Sequence, residues 1–186
     1  MTSTVGTPEA SDAQVLVWDT SPLHHAIKAE KIDILGDMAR NAGEGRRRNL
    51  TTQAVIDELL YHQLPLDGLG WLEIVHVDGL EEIHALVRWM ERVSGQRSNQ
   101  GEATVLAYAE THDAIAVIDD RDARRIGRTG GLEVYGSLRI VAESVRVGHT
   151  TEYAATALVD ALISTGMRYP CPPGEFITWA KRKGIL

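Results

Sequence analysis

The sequence predicts an α/β fold: one domain with a central parallel sheet of about four or five strands, flanked by helices. Three observations carry this. Short apolar runs at 15–18 and 114–118 each stop abruptly at aspartate, Asp19 in the first case and Asp119-Asp120 in the second. Helical and strand-like stretches alternate from 101 to 136, the order expected of crossover helices over a parallel sheet. The length, 186 residues, suits one domain with a tail at each end and is enough to bury a core without staples. In such sheets the working groups lie beyond the carboxyl ends of the strands, so acids placed there are the first candidates for chemistry.

Residues 1–14 are small and polar and are expected to form a disordered tail. The run 15–18, Val-Leu-Val-Trp, reads as a fully buried first strand ending in Asp19. Thr20 or Ser21 can cap a helix whose first turn holds Pro22. Leu23, Ala26, Ile27, Ile34 and Leu35 continue its apolar stripe, with Gly36 as a weak point. The stretch 41–48, NAGEGRRR, reads as a mobile basic loop. Thr51 or Thr52 then caps a helix carrying Val55, Leu59 and Leu60 on one face and Glu58 at its edge. Residues 65–70 break the chain, and 71–77 alternate as a second strand. A charged helix at 79–93 and a polar loop at 94–100 lead to a helix over 102–112. After the strand at 114–118 come a basic helix, Gly130-Gly131 and a short strand at 132–135. Helices follow from Gly136 to about 147, over 150–164 and over 175–183, with a rigid turn at 170–173. The domain itself is expected to span 15–148, with 149–186 packed on it as a helical extension.

Composition narrows the function classes. The net charge of -7 argues against a simple nucleic-acid-coating module, which would ordinarily be basic. It is compatible with an enzyme whose acidic pocket is neutralised by cations. The single cysteine, Cys171, forms no intramolecular disulfide and has no second cysteine to complete a zinc motif. No apolar run approaches the roughly 20 residues of a membrane span, and the N-terminal stretch has no signal-peptide pattern. The cytoplasm is the expected compartment, with no membrane partner.

Four acidic positions share one property, a place where the fold would gather them. Asp19 ends the first strand, Asp120 (with Asp119) ends a later one, Glu102 opens the helix before that strand, and Glu58 sits among apolar neighbours. Each has a plainer use: Asp19 and Asp120 as helix caps, Glu102 as a first-turn acid, Glu58 as a helix-edge charge. Two bare carboxylates about 4 Å apart repel by roughly 4 kcal/mol at an effective dielectric of 20. A gathered set therefore needs protonation or a cation. Oxygen ligands alone suit Mg²⁺ or Mn²⁺, and a pair of such ions can activate water and steady the leaving oxygen in phosphodiester cleavage.

The ordered set Val-Leu-Val-Trp-Asp19-Thr20-Ser21-Pro22-Leu23, then Val-Ile-Asp-Glu58-Leu, Gly101-Glu102-Ala, Ala-Val-Ile-Asp119-Asp120-Arg121-Asp122 and Gly131-Leu-Glu-Val-Tyr-Gly136-Ser-Leu resembles the PIN-domain family. The resemblance runs from about Val15 to Val147 and is nearest to the prokaryotic branch related to VapC-type toxins. It departs at Ala123, where that branch carries an aromatic residue. The resemblance implies a Mg²⁺- or Mn²⁺-dependent endoribonuclease in which Asp19, Glu58, Glu102 and Asp120 are the catalytic acids. Asp19, Glu102 and Asp120 would hold metal, with Asp119 or Asp122 as substitutes for the last. Ser21 and Thr20 would support the site. It also implies an RNA substrate, a small antitoxin protein as partner if the toxin branch holds, and a homodimer. Arg121 and Arg124 beside the acids, and Arg46, Arg47 and Arg48, are candidate RNA contacts. The alternative is a PIN-fold binding or regulatory module without catalysis.

Overall fold

The structure is a computed structural model that describes residues 13–43, 45, 47–93 and 100–186. Residues 1–12, Arg46 and most of the expected 94–100 loop lie outside the described residues. Five parallel strands form one sheet in the order β3-β2-β1-β4-β5. They are β1 (Gln14–Trp18), β2 (Arg47–Thr52), β3 (Glu73–Val75), β4 (Ile115–Val117) and β5 (Val134–Tyr135). Helices α1 (Thr20–Lys28), α2 (Ile32–Asn41), α3 (Gln53–Tyr61), α4 (Leu80–Val93), α5 (Gln100–Thr111), α6 (Arg121–Thr129), α7 (Ser137–Arg146), α8 (Glu152–Ser164) and α9 (Phe176–Arg182) complete the described chain.

The central strand is β1. Leu16, Val17 and Trp18 have no exposed surface, as a strand covered on both faces requires. Its neighbours are β2 and β4, with Trp18 opposite Thr51 on one side and Val117 on the other. The ladder runs one bond further, the Asp19 N–H donating to the Val117 carbonyl at 3.0 Å. Because the strands are parallel, Asp19 and the Asp119-Asp120 pair leave the same edge of the sheet.

Two expectations are corrected here. The stretch 41–48 is not a loop throughout: β2 begins at Arg47 and is the second strand of the chain. Its sequence, RRNLTT, reads as polar, yet Asn49, Leu50, Thr51 and Thr52 are all buried. Most of these polar groups find partners across the sheet, which eases their burial, while Asn49 Nδ2 and Arg47 Nη1 have none among the described residues. Trp18 Nε1 donates to Asn49 Oδ1 at 2.9 Å, Thr51 Oγ1 donates to the Trp18 carbonyl at 2.9 Å, and the hydroxyls of Thr52 and Thr104 pair at 2.8 Å. Secondly, the first helical stretch is two helices. It breaks not at Gly36 but just after α1, where Glu30 takes a positive φ of 55°. Gly36 lies inside α2 and serves packing: a Cβ there would stand 2.5 Å from the Trp71 ring, which itself meets Trp18 edge-on at 5.3 Å.

Helix α7 packs against α2 and α8 and buries Leu138, Ile140, Val141 and Ala142. Helix α8 buries Ala155, Leu158, Val159 and Leu162, and Phe176 of α9 is wholly enclosed. No helix of the described residues is long and apolar enough to cross a membrane.

Candidate active site

Asp19 is the first residue past β1 and the N-cap of α1, and only 1% of its surface is exposed. Its Oδ2 accepts one long bond, 3.4 Å, from the Ser21 N–H. Its Oδ1 is buried with no hydrogen-bond partner among the described residues. Burial pushes its carboxyl well above the usual range. The charge of Glu102 pushes it further, the bonds from the Thr20 and Ser21 amides pull it back, and Glu58 adds a smaller push.

Glu58 projects from α3, which is capped by the Thr52 hydroxyl. It spans the starts of two other helices. Thr20 Oγ1 of α1 donates to its Oε2 at 2.5 Å, and the Gly101 N–H of α5 donates to its Oε1 at 2.8 Å. The close approach explains the glycine: a Cβ on Gly101 would lie 2.7 Å from Glu58 Oε2. Glu102 follows in the first turn of α5. Burial raises its carboxyl, its own amide lowers it, and the charges of Glu58 and Asp120 raise it again. Asp120 caps α6, accepting from the Ala123 N–H at 2.8 Å, and is exposed. Asp19, Glu58, Glu102 and Asp120 thus form an electrostatic chain in which each acid feels at least one other. Three of them sit at helix N-termini, whose positive dipole ends temper the repulsion.

The other two acids go elsewhere. Asp119 has its side chain 4% exposed. Its Oδ1 accepts from the Ser137 N–H at 2.9 Å and its Oδ2 from the Ser137 hydroxyl at 2.6 Å. The Tyr169 hydroxyl reaches Oδ2 at 3.4 Å and Arg124 Nη1 lies 3.8 Å from Oδ1. Burial raises the Asp119 carboxyl, while Ser137, Arg124 and Tyr169 hold it down. Asp122 is 82% exposed and pairs with Arg125 at 3.5 Å, one turn along α6. Neither is among the groups acting on Glu102, and neither acts on Asp19.

The basic residues also divide. Arg121 is exposed at the start of α6. Arg124 gives Nη1 to the carbonyls of Asp119 (2.6 Å) and Ile118 (3.1 Å), so it braces the end of β4. Arg47 is corrected as a candidate RNA contact. Its side chain is 5% exposed, paired with Glu143 at 2.7 Å and bonded to Gln14, because it starts a buried strand rather than a loop. Arg48 is half-exposed and pairs with Glu73 of β3 at 2.6 Å. Arg46 lies outside the described residues. Ser21 has its hydroxyl turned to Met167 Sδ at 4.0 Å, so only its amide serves Asp19. His25, on α1, pairs with the Thr165 hydroxyl at 2.7 Å. Burial, then His25, His62 and Lys28, lowers His24 to about 4.

Sequence reasoning missed Ser137 and Tyr169. Ser137 stands in Gly-Ser-Leu just past β5, a helix start with a donor ready, but its partner lies 18 residues upstream. Nothing local marks Tyr169.

Among the described residues, no three His, Cys, Asp or Glu side chains close around a point as a metal cage would. The chemistry of the donors still fits a hard divalent cation. They are all oxygens, they repel one another, and one buried oxygen has no partner.

Comparison with known proteins agrees with the fold. No curated protein matches the chain. Among solved structures, a PilT N-terminus domain protein from the hyperthermophilic archaeon Sulfolobus solfataricus P2 is similar. The match has a TM-score of 0.50 and 12% identity, covering 70% of this chain and 93% of that one, and speaks to the fold alone. The model of the DUF3368 family, described as a PIN domain, matches residues 15–172, a stretch that takes in all of β1 but Gln14, the four acids and Tyr169. The chain therefore belongs to this PIN-domain family, a family of nuclease-type fold.

Proposed function

We propose that this protein is an endoribonuclease that cleaves RNA phosphodiester bonds with the help of Mg²⁺ or Mn²⁺. The observation that carries this reading is the state of Asp19: a buried carboxylate with one oxygen unpartnered and like charges on its neighbours. A fold retains such a group at a cost unless a ligand repays it. Asp19, Glu102 and Asp120 would hold the cation, and Glu58 would orient the set through Thr20 and Gly101. A divalent ion bound there supplies Lewis acidity toward a phosphate. The chain's own contribution is positional. The ends of β1 and β4 set the acids at one sheet edge, and the capped helices fix their backbones. The buried floor under Asp19 keeps water from screening its charge.

The test is cleavage of a labelled single-stranded RNA by purified protein with Mg²⁺, with Mn²⁺ and with EDTA, run beside Asp19→Asn. Metal-dependent cleavage that the variant loses while keeping its fold supports the enzyme. A folded wild type that binds the ion and cuts neither RNA nor single-stranded DNA overturns it in favour of a non-catalytic module.

A further inference from the structure

A pocket that opens at Asp119 is lined mainly by cations. It is a cavity of about 460 Å³ between the end of β4, α6, the start of α7 and the C-terminal segment. That falls within the roughly 300–1,000 Å³ usual for small-molecule sites. Arg124, Arg128, Arg139, Arg168 and Lys183 line it, with Asp119 as the one carboxylate among its lining residues. Asp119 pairs with Arg124 at 3.8 Å, so a single carboxylate stands against five cations.

Arg124 and Arg139 have ion-pair partners, and Arg139 lies over the Tyr135 ring at 3.6 Å, but the other three cations have none among the described residues. Arg128 gives its guanidinium to the Val134 carbonyl at 2.6 and 3.0 Å, a neutral acceptor. Arg139 pairs with Glu143, but that carboxylate is shared with buried Arg47. Arg168 and Lys183 make no ion pair among the described residues. Burial, then the charges of Arg124 and Arg139, disfavours the charged form of Arg128. In a chain of net charge -7 this is a local inversion of sign. Converging cations in a concave, partly dry site attract an anion, and arginine forks suit phosphate oxygens.

One wall is flat and aromatic. Trp179, half-buried on α9, lines the same cavity. An indole face beside a phosphate site offers a platform for a base, worth about 1–3 kcal/mol per stacked base. We propose that this cavity binds a nucleoside monophosphate unit, its phosphate held by Arg139, Arg168 and Lys183 and its base against Trp179. The unit is either a free nucleotide or the phosphorylated end of an RNA strand. The site does not depend on the nuclease reading, since none of these residues is one of the four coupled acids.

The test is isothermal titration of full-length protein, in low salt without metal, against AMP, UMP, inorganic phosphate, and a short RNA with and without a 5′-phosphate. The expected result is saturable binding of AMP or UMP, weakened about tenfold by Arg168→Ala with Lys183→Ala. Trp179→Ala should weaken the nucleotide and leave inorganic phosphate unchanged. Asp19→Asn should bind as the wild type does, which separates this site from the catalytic one. Tighter binding of the 5′-phosphorylated RNA than of AMP identifies an RNA end; equal or weaker binding identifies a free nucleotide. Arg168 and Lys183 are exposed, and Lys183→Gln alone serves if the double variant misfolds. Absence of binding to any phosphate probe, or binding that these variants leave unchanged, overturns the proposal.

Discussion

Two buried aspartates stand at the ends of neighbouring strands and are treated in opposite ways. Asp19 follows β1 and Asp119 follows β4, and burial raises both carboxyls. Around Asp119 the fold supplies an amide, two hydroxyls and a guanidinium. Around Asp19 it supplies one long amide bond, an empty oxygen and two more acids. A raised carboxyl is thus no sign of function by itself. The partners decide: the satisfied carboxylate of Asp119 is a clasp between β4, α7 and the segment at Tyr169, whereas the unsatisfied one of Asp19 is the group on which the proposed cation binding rests.

The contrast breaks most visibly at Asp19. Asp19→Asn should lower metal-dependent RNA cleavage by roughly a thousandfold, about 4 kcal/mol of lost transition-state stabilisation. The same variant should melt no lower than the wild type in EDTA. Retained cleavage would remove Asp19 from the chemistry. Asp119→Ala should do the reverse in the first instance. It leaves the Ser137 N–H without its acceptor and should cost about 2–3 kcal/mol in urea unfolding. An Asp119→Ala protein of unchanged stability would show the clasp reading to be wrong.

Smaller effects sharpen the comparison. Mn²⁺ at ten times its Kd should stabilise the wild type by about 1.4 kcal/mol in thermal melts. Asp119→Asn should keep that increment and Asp19→Asn should lose it. The last effect is with pH. A carboxyl raised on folding binds its proton more tightly in the folded state. The stability this contributes is complete below the ordinary carboxyl value of about 4 and disappears as pH rises through the raised folded value. The metal-free wild type should therefore lose about 1 kcal/mol or more as pH climbs from 4 toward neutrality. Asp19→Asn should flatten the slope, leaving the part due to Glu102 and Asp119. Equal slopes in the two proteins would mean Asp19 is not the buried acid that the geometry describes.

Much of this was legible from residues alone. The apolar run 15–18 ending in Asp19, and the run 114–118 ending in Asp119-Asp120, announced two parallel strands of the sheet, because strands buried on both faces admit few polar residues. A threonine cap on α3, at Thr51 or Thr52, was legible too, since caps are local, and the structure puts it at Thr52. The second strand was not. RRNLTT has no apolar periodicity, and it is a strand because Trp18, Thr104, Gln14 and Glu143 pair with its polar groups from afar.

By itself, the sequence determined which acids follow which strands, and hence which carboxylates reach one edge of the sheet. That information is local: an apolar run, a stop, a capping residue. Only the tertiary structure decided that Asp119 turns to Ser137 and Tyr169, that Glu58 ties two helix starts together, and that five cations from the second half of the chain share one cavity. Those outcomes depend on contacts between residues tens of positions apart. Hydrogen bonds and charges act over a few ångströms of space, whatever the distance along the chain.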